Sequence, residues 1–393
     1  MTIMEYLNPA RAPYSAHDRA LIGTGHARQA RARFTRHPRY RPTPLRTVPG
    51  LAGTRAAYVK DESGRMGLGS FKALGGAYAV HLLAQRDGGG APFVCASAGN
   101  HGLSVASGAA EAGVDCVVYL SEGVPEEFAR RLRALGARVR REGADYDASM
   151  AAALRAAQEH GWRLVADSSW EGYTDVPLDV MRGYSVLFDE LNDADPSGVA
   201  SGGGGLGGEP GGGGLGGGAR SGGEREGSDP EGAERAGAAR EGGVIEGGPT
   251  HVFVQAGVGG LAAAGAAYVR DRWGEQPRIV VVEPEGAPCL LESARAGAPV
   301  RVEGGPTRLG RLDCREPSLL AHRLLGHLAD LYVTITDDQA DAAVTLLAGH
   351  GLTLSGCGAA GAAGLLALGP AARDALTLDD ASRVLLVGTE GLV

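Results

Sequence analysis

Seven short apolar or β-rich runs, APFVCAS, VDCVVYL, ARVRRE, THVFVQAG, RIVVVEP, LYVTIT and RVLLVGT, recur along the chain, separated by Ala- and Leu-rich stretches such as GLSVASGAAEAG, EEFARRLRALG and YDASMAAALRAAQEHG. Strands that alternate with helical patterns argue for an α/β fold with doubly wound parallel sheets. One set of runs precedes, and another follows, an abrupt change of character between Asp193 and Gly248, which predicts two α/β domains. Residues 201–248 hold 22 glycines, in runs such as SGGGGLGGEPGGGGLGGGARSGG. A segment of that composition cannot bury enough apolar surface to offset its ordering entropy, so 193–248 is predicted to be a disordered insertion.

The length fits two domains or one large α/β unit: the chain has 393 residues, 44% of them hydrophobic. Its net charge of −8, and the absence of basic blocks interleaved with aromatics, argue against a nucleic-acid partner. The locally basic HARQARARFTRHPRYR reads as a solvated helix face, with RNA binding the alternative. Five cysteines, Cys95, Cys116, Cys289, Cys314 and Cys357, are widely spaced with no CxxC pair. That pattern suits neither a disulfide framework nor a zinc site and suggests a reducing cytoplasm. No apolar run is long enough for a membrane span, and MTIMEYLNPARAP lacks a signal-peptide core.

Of 38 lysines and arginines only two are lysine, Lys60 and Lys72, both within KDESGRMGLGSFKALGGAY. A coding bias toward arginine spares lysine where the chemistry needs an amine, since arginine stays protonated and cannot act as a nucleophile. Ser70 is the expected N-cap of a helix through FKALGGAYAVHLL, with Lys72 in its first turn. The positive end of the helix dipole then disfavours the ammonium and lowers the amine's pKa. Lys60 reads as a structural or phosphate-region residue.

Two strand-to-helix turns complete the candidate site. In QAGVGGLAAAGAA, residues 255–267, a glycine turn and a helix N-terminus make a cradle of backbone N–H groups suited to a phosphate. The same residues, Gly257, Gly259 and Ala262, fit G-x-G-x-x-A, and Glu283 falls where a ribose-binding acid would, so a dinucleotide fold competes here. In CASAGNHGLSVA, residues 95–106, Ser97, Gly99, Asn100 and His101 gather donors in one concavity, as a carboxylate or a ring oxygen would require.

Lysine in SFK, then SAGNHG, then a Gly-rich strand-to-helix turn is the order of parts in fold type II pyridoxal-phosphate (PLP) enzymes, the group of serine/threonine dehydratases and cysteine synthases. The chain resembles that group over nearly its whole length outside the Gly-rich insertion. RYRPTPL, KDESGRMGLGSFKALGGAYA, ADSSWEGYTDVPLDVMRGY, LGRLDCREPS and VLLVGTEG resemble the diaminopropionate ammonia-lyase family in particular. The resemblance implies a tryptophan synthase β-like fold. Its large PLP-binding domain would comprise residues 1–80, 180–192 and 249–393, and its small α/β domain residues 81–179. It also implies that Lys72 holds pyridoxal 5'-phosphate as an imine, that Gly257, Val258, Gly259 and Gly260 bind its phosphate, and that Asn100 meets its ring oxygen. Thr389 would face the pyridine nitrogen, although the family motif there tends to read STEG and this chain has Gly388 in place of the serine. A hydroxyl partner would leave that nitrogen unprotonated, which favours β-elimination over transamination.

Ala98 stands where the ammonia-lyase has an aspartate and several serine-acting relatives have a serine. Without that acid, Lys72 remains the one base and the enzyme is expected to act on a single enantiomer, L. Asp167 matches the other aspartate of the pattern, as a distal-ammonium ligand or leaving-group acid, with a structural carboxylate the competing role. Ser97, His101 and Asp313 are the expected substrate contacts, Asp313 and Cys314 shape the pocket, and no metal is expected. The implied activity is β-elimination on a small L-amino acid resembling 2,3-diaminopropionate, giving a 2-oxo acid and ammonia in a cytoplasmic homodimer. Serine/threonine dehydration, β-replacement, an NAD-dependent dehydrogenase and a non-catalytic homologue remain as alternatives.

Overall fold

The computed structural model describes residues 4–88, 90–97, 99–193, 240–241 and 245–392. Twelve strands occur in this part of the chain. They are β1 (Glu5–Leu7), β2 (Leu45–Pro49), β3 (Ala56–Asp61), β4 (Phe93–Ala96), β5 (Cys116–Leu120), β6 (Arg138–Arg141), β7 (Arg163–Leu164), β8 (Arg240–Glu241), β9 (His251–Gln255), β10 (Arg278–Pro284), β11 (Leu331–Ile335) and β12 (Arg383–Gly388). They form an eight-stranded sheet in the order β1-β11-β10-β9-β12-β3-β2-β8 and a four-stranded sheet in the order β6-β5-β4-β7.

All seven apolar runs are strands, and the smaller sheet is parallel throughout. The larger sheet is parallel from β11 through β10, β9 and β12 to β3, but its edges are not. β1 lies antiparallel to β11, and β2 antiparallel to both β3 and β8, so this sheet is mixed. The reason is local: β2 and β3 are joined through a tight turn with Gly50 at φ +69°, too short for a crossover helix.

Most of the expected 193–248 insertion lies outside the described residues. At its ends, Asp193 pairs with Arg31, Arg240–Glu241 pair with β2, and Ile245 is buried, so described structure extends inside the expected boundaries. Among the described residues no helix is long and apolar enough to cross a membrane.

Two features position the lysine. The Lys72–Asp87 helix packs closely on the Asn100–Ala112 helix and on the Asp175–Tyr184 helix. Gly75 and Gly76 allow this approach: a Cβ on Gly76 would lie 2.9 Å from Ser104 Oγ, and one on Gly75 would run into the Tyr184 ring. Beneath the segment that leads into this helix lies a fully buried group of two carboxylates and two cations. Glu190 accepts from Lys60 Nζ at 2.6 Å and from Arg65 Nη1 at 2.7 Å, while Glu62 takes Arg65 Nε and Nη2, both at 2.7 Å. Lys60 also donates to the Thr43 carbonyl at 2.6 Å. Lys60 is therefore structural, and its compact ammonium serves one carbonyl and one carboxylate where Arg65 bridges two carboxylates with its fork.

Candidate active site

Lys72 is the first residue of its helix, but Ser70 does not cap it. Phe71 already has helical φ/ψ (−54°, −27°), and the backbone of Ser70 is bridged to Glu390 instead. Phe71 N–H donates to the Thr389 carbonyl at 3.0 Å, so the lysine's segment is stitched directly to the end of β12. Lys72 Nζ lies 2.6 Å from Asp167 Oδ2. Burial pulls the ammonium's pKa down, but the Asp167 carboxylate outweighs it and the net shift is upward. The expected lowering at the helix N-terminus is thus reversed, because a full negative charge in contact exceeds the partial charge of a helix end. Asp167 answers in kind: burial pushes its pKa up, yet Lys72 and then His101 hold it well below the usual carboxylate range.

Asp167 is fixed by the segment that follows it. Ser169 accepts the Leu319 N–H on its carbonyl at 2.9 Å and the Leu320 N–H on its Oγ at 2.8 Å, and so caps the Leu319–Leu328 helix from 150 residues away. Ser318 returns the bond, its Oγ accepting Ser169 N–H at 3.0 Å, while Ser318 N–H donates to the Val258 carbonyl at 2.9 Å. The Asp167 loop and the glycine turn therefore share one clasp.

In that turn Gly259 has φ +96°, and Gly260 begins the Gly260–Trp273 helix. A Cβ on Gly257 would lie 2.9 Å from Cys314 Sγ, and one on Gly259 would lie 2.8 Å from the Ala321 Cβ. Gly260 has no such crowding, its nearest neighbour being 3.7 Å away. The first two glycines are forced by their walls; the third is not. Glu283, the competing ribose acid, is buried and accepts the N–H groups of Leu290 and Leu291 at 2.8 Å each, at the head of the Cys289–Ala296 helix. Burial raises its pKa to about 8 against those two donors, and both oxygens are engaged in capping, which removes the basis of the dinucleotide alternative.

Ser97 accepts Gly99 N–H at 3.0 Å and Gly102 N–H at 2.8 Å, which engages both lone pairs and leaves only its hydroxyl proton to give. Ala98, between them, lies outside the described residues. His101 places Nε2 at 2.9 Å from the Val165 carbonyl, so Nε2 carries the proton. Nδ1 is left without a hydrogen-bond partner, 3.9 Å from Asp167 Oδ2, and burial is the main cause lowering its pKa. Thr389 Oγ1 accepts from Gln255 Nε2 at 3.1 Å and has a long 3.3 Å contact to the Cys357 carbonyl for its own proton. Asp313 pairs with Arg315 at 2.8 Å.

Lys72, Ser97, Asn100, His101, Asp167, Gly257, Val258, Gly259, Gly260, Asp313 and Thr389 all line one cavity. Glu390, Arg311, Gln255, Tyr146 and Tyr184 line it too and were not singled out from sequence. Glu390 and Arg311 sit inside VGTEG and LGRLDCREPS, where the neighbouring threonine and aspartate drew the attention; Tyr146 and Tyr184 carry no local signal.

The cavity suits pyridoxal phosphate on its own chemistry. An amine for an imine stands at one side, and two glycines whose Cβ positions are blocked form a turn at a helix N-terminus on the other. His101 and Tyr184, which line the same space, have buried polar atoms, Nδ1 and Oη, with no hydrogen-bond partner among the described residues, as expected where a polar molecule belongs.

Comparison with known proteins agrees. A family model described as pyridoxal-phosphate dependent enzyme matches residues 37–243 and 232–390. Diaminopropionate ammonia-lyase of Escherichia coli (strain K12) is 31% identical over 343 residues, 81% of this chain and 74% of that protein. L-threonine ammonia-lyase of Thermotoga maritima is 26% identical over 305 residues, 76% of this chain and 60% of that protein. The solved structure of the Escherichia coli diaminopropionate ammonia lyase in complex with an aminoacrylate-PLP azomethine reaction intermediate superposes with a TM-score of 0.78 at 27% identity, over 100% of this chain and 94% of that one. The chain belongs to the pyridoxal-phosphate dependent enzymes and shares the fold type II architecture, with pyridoxal 5'-phosphate as its cofactor.

Proposed function

We propose that the protein is an ammonia-lyase that eliminates the β-amino group of L-2,3-diaminopropionate or a close analogue, yielding pyruvate and two molecules of ammonia with the uptake of one water. The observation that carries this reading is the Lys72–Asp167 contact, an amine and a carboxylate facing each other within one cavity. The similarity to diaminopropionate ammonia-lyase supports the choice of substrate.

Lys72 would hold pyridoxal phosphate, with Gly257, Val258, Gly259 and Gly260 at its phosphate, Asn100 at its ring oxygen and Thr389 at its pyridine nitrogen. The cofactor supplies the electron sink that makes the substrate's α-proton acidic. With substrate seated, the Lys72 amine takes that proton. The Asp167 carboxylate receives the substrate's distal ammonium, which already carries its proton and departs as ammonia. Thr389 Oγ1 accepts from Gln255 Nε2, and its own proton has only the long 3.3 Å contact to the Cys357 carbonyl to give up before it can donate to an unprotonated ring nitrogen. Ser97, with its one free proton, serves the substrate carboxylate; His101 and Asp313 complete the substrate wall. With Ala98 in place of an acid, Lys72 is the sole base and turnover is confined to the L enantiomer.

The larger sheet and its helices would form the cofactor domain (residues 1–80, 180–192 and 249–393) and residues 81–179 the smaller one, in a cytoplasmic homodimer. Light scattering of the purified protein tests the dimer.

Titrating L-2,3-diaminopropionate into the yellow holoenzyme tests the activity. The visible band should shift and decay as pyruvate appears, and the D enantiomer should give none. A band inert to this substrate but responsive to serine or threonine would replace the ammonia-lyase reading with a dehydratase. Equal turnover of both enantiomers would overturn the single-base mechanism.

A further inference from the structure

Of the three acids that line the cavity, Asp167, Asp313 and Glu390, the proposed mechanism leaves Glu390 unused. Glu390 is 3% exposed and lines the cavity, and its neighbours come from separate parts of the fold. Asn100, at the head of the Asn100–Ala112 helix in the smaller unit, donates Nδ2 to Glu390 Oε2 at 2.6 Å. Ser355, which caps the Gly356–Ala367 helix of the larger unit, donates its hydroxyl to Oε1 at 2.7 Å. Arg311 brings Nε to 3.1 Å from Oε2, an ion-pair distance, although its N–H is not aimed for a hydrogen bond. The backbone of Glu390 is bridged to Ser70, two residues before Lys72.

We infer that Glu390 is a positioning residue for the reaction, holding the Asn100 side chain so that its amide nitrogen, rather than its carbonyl oxygen, is set for the cofactor's ring oxygen. An ionised carboxylate can only accept, so it selects the NH₂ end of the amide and breaks the near-degeneracy of its two orientations. One of the two N–H bonds goes to Glu390, and the second remains for the cavity that Asn100 lines. Burial raises the Glu390 pKa on balance, with Arg311 and then Ser355 opposing the rise without reversing it, so the orientation is selected wherever the carboxyl is ionised. Without such an acceptor the amide could turn its oxygen toward the ring oxygen, a repulsive arrangement for two acceptors. Glu390 thus acts through Asn100 and need not touch the reacting atoms. The inference rests on the assignment of Asn100 to the ring oxygen.

The experiment compares native protein, Glu390→Met, Asn100→Ala and the double variant for pyridoxal phosphate affinity, by absorbance titration, and for the position of the bound cofactor's visible band. Asn100→Ala and Glu390→Met should each weaken binding about tenfold and move the band in the same direction, in keeping with loss of one hydrogen bond to a charged group. The double variant should match Asn100→Ala alone. If Glu390→Met weakens binding as much in the Asn100→Ala background as in the native one, the role is general and the inference is overturned. A shifted band in Asn100→Ala with none in Glu390→Met defeats the Glu390 role alone; no shift in Asn100→Ala defeats the ring-oxygen assignment and this inference with it. Should Glu390→Met fail to fold, Glu390→Asp keeps a charge for Arg311 but draws the acceptor back from Asn100, and the same shifts are expected from it.

Discussion

At the scale of single residues, Lys72 and Asp167 stabilise each other's charge, and the signs of their shifts fix a pH window. Asp167 has a depressed pKa, so the stability it contributes is present above the ordinary carboxylate range and is lost as pH falls through its lowered value. Lys72 has a raised pKa, so its share is present below the ordinary lysine range and is lost as pH climbs through its raised value. The pair is therefore intact from about pH 4 to about pH 10. In cofactor-free protein, the difference in melting temperature between the native chain and Asp167→Asn should stay level across that window and shrink below about pH 4. A slope centred below the ordinary histidine range would instead assign the charge to His101, whose pKa burial lowers. Lys72 was legible in the sequence because arginine had displaced nearly every other lysine, and Asp167 because of the ADSSWEGY stretch. Their contact was not, since 95 residues separate them and no local pattern records a pairing of that kind.

At the scale of elements, all but one of the legible strands are covered on both faces, the exception being the exposed edge strand β6. β5, β9 and β11 are buried at every position and so read as unbroken apolar runs. β3 was missed although it is central, because AAYVKD carries Lys60 and Asp61. Its lysine can be buried only because Glu190, 130 residues away, meets it. Glu190→Ala would leave Lys60 and Arg65 sharing Glu62 alone, and urea unfolding should show a loss of about 3–5 kcal/mol, the usual cost of an uncompensated buried charge. Its native carboxyl is held down to about 2, with burial opposing and Arg65 and Lys60 prevailing. This contribution therefore persists to low pH and is lost as pH falls through that value. The two glycines after Lys72 make the complementary case, in which propensity and packing disagree. Gly75→Ala should gain up to about 1 kcal/mol in helix propensity. The new Cβ would meet the Tyr184 ring, and Val180 Cγ1 at 2.8 Å, so a net loss of about 1–3 kcal/mol is expected on urea unfolding. Unchanged stability would mean that Tyr184 yields without cost.

At the scale of the whole molecule, the site exists only where the two sheets' units meet. Asn100 and His101 come from the unit around β4, the glycine turn follows β9, and Thr389 follows β12, while Ser169 and Ser318 clasp the two sides. Loading pyridoxal phosphate should accordingly slow hydrogen exchange on both sides, at residues 99–103 and at 257–262, and leave β1 at the sheet's far edge unaffected. Protection confined to one side would show that the other contributes little to binding. The mixed edges of the larger sheet do not enter this geometry, since β9 and β12, which lead into the cavity, pair in its parallel part. The arginine-for-lysine bias has one further consequence. Lys60 is 2% exposed, with its ammonium held by Thr43 and Glu190, whereas the Lys72 side chain, although paired with Asp167, is 25% exposed and lines the cavity. Apart from a terminal amine, reagents that acylate or reductively alkylate amines therefore find a single target on the folded protein. Label incorporation at Lys72 becomes a direct count of vacant sites, and protection from labelling a count of occupied ones, with no turnover required.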